Sequence, residues 1–218
     1  MSRRLVAAGK DTDSEAAAFP VRLSHQQPIL ATDYVQAKIH NITLAARYIE
    51  NLPVPPQGIF SFWHVVGRPS QSRGFQPGRS LLGGQLRPDY GGGLCQLSGL
   101  LYYVSIVAGF EIIERHAHSR DIYDDNTRYA PLGSDATVAY GFKDLRVLNT
   151  TSSPICFRVW VSQEMVRCDL CSPGTIESST IEFATTALSD GATQVEARRR
   201  RPGEADYRLL NISVYRRI

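Results

Sequence analysis

Long apolar runs are missing from this chain: no stretch approaches the roughly 20 consecutive apolar residues that a membrane-spanning helix needs. Cysteine is scarce, with four in 218 residues, too few for a disulfide-dense secreted scaffold, so a reducing compartment is expected. Lysine is scarcer still: of 24 basic residues only Lys10, Lys38 and Lys143 are lysines, which leaves Schiff-base chemistry three candidates. An apolar leader is also lacking. Gly9, Lys10, Asp11 and Asp13 interrupt the segment Met1–Pro20, so no export signal is read there and a cytoplasmic location is expected. No G-x-x-x-x-G-K-[ST], no helix-opening G-x-G-x-x-G and no G-x-S-x-G occurs, which removes a phosphate loop, a dinucleotide fingerprint and a serine elbow.

What remains is ordinary globular composition, 43% hydrophobic and 21% charged, in a chain long enough to bury a core unaided. The net charge of +3 is uneven. From Arg198 to Ile218 seven arginines face Glu204 and Asp206, a local balance of +5, against −2 for the other 197 residues. Basicity confined to one end does not describe a nucleic-acid-binding face, so no nucleic-acid partner is expected, and the Arg198–Arg201 run reads as a solvated loop.

Residues 1–35 show no clear period and read as a loosely ordered lead-in. From there Ile42, Ala45, Ala46, Ile49 and Leu52 fall on one helical face, and Pro53, Pro55 and Pro56 stop the helix. Gly58–His64 has the aromatic density of a strand. The glycine- and proline-punctuated stretch from Gly67 to Gly93 reads as one long connection, of the kind that is commonly functional. A second helix begins near Cys95, with Leu97, Leu100, Leu101, Val104, Val107 and Ala108 at helical spacing and Gly109 as its C-cap. Strands are expected at 110–118, 136–140, 144–148 and 155–161, and weaker ones at 180–183 and 207–214. The expected class is α+β: a single compact domain with an N-terminal helix, a central helix after a Gly-rich loop, and a mostly antiparallel sheet. Its core would span residues 36–172, with 173–218 packing on it as C-terminal strands and a basic extension.

The segment richest in chemistry is Gly91-Gly92-Gly93-Leu94-Cys95-Gln96. Glycines allow positive φ and close approach of another molecule. A cysteine in the first turn of a helix has its thiolate stabilised by the macrodipole and free N–H groups, and the same N–H groups can hold an oxyanion. Gln96 can add a side-chain donor. His116 and His118 share one face of the expected strand, so either can serve as the base. Asp135, preferred over Asp144, can orient the imidazole as the third member of a triad.

Two other uses of these residues remain open. Cys95, His116 and His118, with His64, can supply zinc ligands, although the lone Cys168-x-x-Cys171 pair lacks the second pair of a zinc ribbon; neither a metal nor another cofactor is expected. Alternatively the glycine loop forms a peptide or glycan groove and Cys95 is structural. Cys156 reads as packing.

Asn41-Ile-Thr-Leu-Ala, Pro56, Phe60-Ser61-Phe62, Val66-Gly67 and Gly74-Phe75 resemble the opening of the VanW family. The Gly91–Ser98 block with Leu101-Tyr102 is the most specific part of the resemblance. Glu114–Ser119, Gly133–Val138, Asp144-Leu145-Arg146, Asn149 and Pro154-Ile155 follow in the family's order. The resemblance covers about residues 38–165, and more loosely Tyr207–Asn211. It implies a protein of the cell-wall and vancomycin-resistance type. Some multidomain members are regarded as L,D-transpeptidases, with the catalytic cysteine in the Gly-Gly-Gly-x-Cys-Gln block, here Cys95, and a histidine motif, here His116 and His118. The expected activity is therefore cysteine-dependent acyl transfer, transpeptidase-like or amidase-like, on peptidoglycan peptides or precursors. Gly91, Gly92, Gly93, Gln96 and Arg115 would contact the substrate.

Overall fold

The computed structural model describes residues 5–6, 15–31, 33–82, 85–121 and 128–217. The class is α+β: among the described residues three α-helices and mostly antiparallel sheets form one compact domain.

Helix α1, Val35–Ile49, buries the stripe read from the sequence, Ile42, Ala45, Ala46 and Ile49, with Leu52 just beyond it. A short helix α2, Phe62–Val66, follows strand β2, Ile59–Ser61. The expected strand at Gly58–His64 is therefore cut short, for a local reason. Ser61 Oγ accepts the His64 N–H at 3.1 Å, and the Asp144 carboxylate accepts the Trp63 N–H at 3.0 Å, which caps a helix in place of further strand. The stretch from Gly67 to Gly93 is not one connection: it contains a hairpin of β3, Pro77–Leu82, and β4, Gln85–Tyr90. Helix α3, Leu94–Val107, is apolar on almost every side and lies buried at the centre of the core.

Strand β5, Glu111–Glu114, pairs with β7, Arg146–Leu148, which also pairs with β2; a two-residue strand β6, Arg120–Asp121, comes between β5 and β7 in the chain. The expected strand at 110–118 thus ends four residues early, after a register shift between Ile112 and Glu114. Residues 136–140 make only isolated bridges, Thr137 to His116 and Ala139 to Lys143. Strands β8, Cys156–Val161, and β9, Met165–Cys171, form a second sheet whose third strand is β1, Val21–Pro28. Part of the expected lead-in is therefore a sheet strand. Its apolar period is weak because most of its side chains are exposed.

The C-terminal sheet has the order β10 (Thr180–Ala187), β11 (Thr193–Arg200), β12 (Arg208–Arg217), with β6 parallel at its edge. The arginine run is not a loop: it lies largely within β11. Arg199 is buried and donates to the Phe110 carbonyl at 2.8 Å, while Arg201 donates to the Gly109 carbonyl at 3.2 Å. Two of the four arginines thus bind carbonyls just past the C-terminus of α3, where its dipole favours positive charge.

Candidate functional site

Cys95 occupies the first turn of α3, directly after the glycine bend. Gly91 and Gly93 have φ of +88° and +98°, which side-chain-bearing residues rarely adopt. Gly93 also has no room for a side chain: a Cβ there would sit 2.6 Å from Lys38 Cγ. The bend is pinned by Asn41, fully buried on α1. Its amide donates to the carbonyls of Gln76 and Gly92 at 2.9 and 3.1 Å, and its oxygen accepts the Gln76 N–H at 2.8 Å. The Gly93 carbonyl accepts from the Gln96 and Leu97 N–H groups. The Cys95 N–H has no acceptor among the described residues and remains available, as first-turn donors do.

Beyond β5 the chain leaves the ladder and runs beside residues 135–137, with the Thr137 N–H on the His116 carbonyl at 2.7 Å. One turn along α3 from the cysteine, buried Ser98 donates to the Ala136 carbonyl at 2.5 Å, which ties that segment to the cysteine helix. These contacts bring His118 and Asp135 to the start of α3.

His118 is held twice by one carboxylate oxygen. Its Nδ1 donates to Asp135 Oδ2 at 2.6 Å and its backbone N–H to the same atom at 2.7 Å. With Nδ1 occupied, Nε2 is the ring nitrogen left to act on Cys95, whose thiol His118 lowers. The Cys95 sulfur also lies 3.6 Å from the Val138 carbonyl oxygen. Cysteine, imidazole and carboxylate thus stand in one chain of contacts.

Asp135 has further partners. Its Oδ1 accepts from Arg115 Nη2 at 2.9 Å and from the Tyr215 hydroxyl at 2.5 Å. Arg115 additionally donates to the carbonyls of Asp135 and Gly133 at 2.7 and 3.0 Å, folding the turn that presents the aspartate.

The electrostatics follow from these contacts. Burial pushes the Asp135 carboxyl up, but the hydrogen bond and charge of His118 and the Arg115 guanidinium overcome it and bring the group down to about 2. Burial works against charge on His118 as well. The bonds and charges of Asp135 and Cys95 outweigh it and lift the imidazole to about 10. For Cys95, burial raises the thiol, and His118 overcomes this to leave it below the ordinary thiol value. Both shifts favour a thiolate beside an imidazolium relative to the free groups. The Cys168 thiol, by contrast, is pushed up by burial.

The three residues line a cavity of about 1060 Å³, together with the glycine bend, Lys38, Trp63 and Arg68. A cavity this large accommodates a peptide-sized ligand.

The other residues singled out from the sequence are placed differently. His116 turns away from Cys95: its Nε2 donates to Glu114 Oε1 at 3.0 Å, because the chain has left the strand and no longer alternates. Arg115 does not line the cavity and is a clamp on Asp135. Gln96 gives its amide N–H to the Pro28 carbonyl at 2.9 Å, while its side-chain oxygen is buried without a partner. Asp144 caps α2. Cys168 and Cys171 are buried, and three residues apart on β9 they project to opposite faces. Cys156 is buried opposite Cys171 on the neighbouring strand. Among the described residues no three His, Cys, Asp or Glu side chains are grouped to hold a metal. No helix among them is long and apolar enough to cross a membrane. Asn41, Ser98 and Tyr215 are structural members of the site to which sequence reading assigned no role, Asn41 and Ser98 standing only within the family blocks, since each acts through contacts distant in the chain.

Two curated proteins are similar to this chain. The uncharacterized protein YoaR of Bacillus subtilis strain 168 is 37% identical over 123 residues, 56% of this chain and 39% of its own length. The vancomycin B-type resistance protein VanW of Enterococcus faecalis V583 is 32% identical over 129 residues, 59% of this chain and 46% of its own. The chain spans less than half the length of each of these relatives. No solved structure gives a significant match. The family model described as "VanW like protein" matches residues 37–171, which carry Cys95, His118 and Asp135, and the chain therefore belongs to the VanW-like family.

Proposed function

We propose that this protein is a cysteine acyl transferase acting on peptide bonds of peptidoglycan or its precursors. The observation that carries the reading is the His118 imidazole, bonded to Asp135 and lowering the Cys95 thiol, with all three residues at the wall of a peptide-sized cavity. The vancomycin-resistance name of one relative supports the cell-wall assignment.

In this reading the Cys95 thiolate attacks a peptide carbonyl carbon, and the oxygen takes up the negative charge. The free Cys95 N–H and the positive end of α3 stabilise that charge. As the C–N bond breaks, the ring nitrogen of His118 that faces the sulfur gives its proton to the departing amine. A thioester on Cys95 remains. Neutral His118 then takes a proton from the incoming nucleophile, an amine for transpeptidation or water for hydrolysis. Collapse of the second tetrahedral adduct expels the thiolate and restores the ion pair. Asp135 stays ionised throughout, fixing the ring with its proton on Nδ1.

The test is direct. The protein is mixed with a peptidoglycan stem tetrapeptide, quenched in acid and weighed by mass spectrometry. The reading expects an acyl adduct on the peptide containing Cys95 and none on the Cys95→Ala protein. An adduct that survives this substitution, or none in the unsubstituted protein, overturns it.

A further inference from the structure

Lys38 stands on α1, where its aliphatic stem crosses Gly93, the residue that opens the cysteine helix. It lines the same cavity as Cys95 and is partly buried. No carboxylate partners its ammonium group among the described residues. A long stem covering apolar surface is commonplace, yet such a side chain usually ends in water or on an acid. A charge withdrawn from water without a counter-ion is costly.

The surrounding charge points the same way. The cavity lining holds five lysines and arginines against three aspartates. Two of those aspartates are already engaged, Asp121 with Arg128 and Asp135 with His118 and Arg115. The third, Asp89, is exposed and accepts the Tyr90 N–H. Arg68, also lining the cavity, has no acidic partner among the described residues.

We propose that Lys38 reads a carboxylate on the ligand, so that the cavity selects an anionic acyl donor and seats its negative group beside the glycine bend. This rests on the acyl-transfer reading for what the ligand does, but not for the binding itself. The lowering of the Lys38 ammonium to about 8 by burial agrees with a site that lacks its anion.

The experiment compares alkylation of Cys95 by iodoacetate, which is anionic, and by iodoacetamide, its neutral counterpart. If Lys38 attracts carboxylates, Lys38→Met lowers the iodoacetate-to-iodoacetamide rate ratio by roughly three- to tenfold. Lys38→Arg, which keeps the charge, retains the ratio and controls for packing. An unchanged ratio in Lys38→Met, with iodoacetamide still reacting, overturns the proposal. If iodoacetamide fails to label Cys95 at all, the nucleophile reading fails instead, and Lys38 is judged separately by NMR of ¹³C-labelled lysine. With three lysines in the chain, the Lys38 signal is assigned by its loss in Lys38→Arg. N-acetyl-D-alanine should shift that signal and N-acetyl-D-alaninamide should leave it in place; equal responses overturn the proposal.

Discussion

Tyr215, on the last strand, donates its hydroxyl to Asp135 Oδ1 at 2.5 Å across 80 residues of chain. The tyrosine lies outside the span matched by the family model, the aspartate inside it. Ser213 and Asn211, on the same strand, accept from Arg115, which holds the same carboxylate. The C-terminal sheet is therefore the outer support of Asp135 and of the His118 it holds.

Tyr215→Phe should accordingly destabilise the protein by about 1.5–3 kcal/mol, the usual loss for a hydrogen bond to a charged group. Urea denaturation measures this. Acyl-transfer kcat should fall with little change in KM, since Tyr215 acts through Asp135 and not through the scissile bond. An unaltered unfolding midpoint would mean that the contact contributes nothing.

The two histidines should separate sharply. His118→Ala removes the proton carrier and should lower kcat by roughly 10²- to 10⁴-fold. His116→Ala should stay within about threefold, because its imidazole serves Glu114. Parallel kinetics on the two variants check this, and equal losses would contradict the assignment.

Stability should respond to pH in a pattern set by the ion pair. His118 is raised from 6.5 to about 10, so its contribution is fully present below 6.5 and lost as pH rises toward 10. Cys95 is lowered from 9.0, so its contribution is present above 9.0 and lost as pH falls through its folded value. Below 9.0, and above both 6.5 and the folded value of Cys95, the proton gained by the imidazole on folding equals the one released by the thiol, and the slopes cancel. The stability difference between the protein and its Cys95→Ala/His118→Gln variant should be level across that window and fall as pH rises from 9.0 toward 10, by up to about 1.4 kcal/mol per pH unit. Urea titrations at stepped pH measure it; a steady slope through the window would exclude the pair.

Much of this site was legible locally, and what was not had physical reasons. Helix α3 announces itself by apolar spacing, and the positive φ of Gly91 and Gly93 explains the glycines before it. His116 and His118 could not be told apart because strand alternation puts both on one face. The structure separates them because the chain leaves the ladder after Glu114. Asp135 and Asp144 are each plausible turn aspartates. Only the tertiary contacts of Arg115, Tyr215 and His118 with one, and of Ser61 and the Trp63 N–H with the other, divide their roles. Strand β1 escaped notice because its exposed side chains leave almost no apolar period.

The central claim is that the Cys95 sulfur is ionised by His118, and the pH dependence of its alkylation by iodoacetamide tests this most directly. Followed on the peptide containing Cys95, the midpoint should lie below 9.0, and His118→Gln should return it to 9.0 or above. A midpoint already at 9.0 in the unsubstituted protein, or one that His118→Gln does not move, would contradict the account.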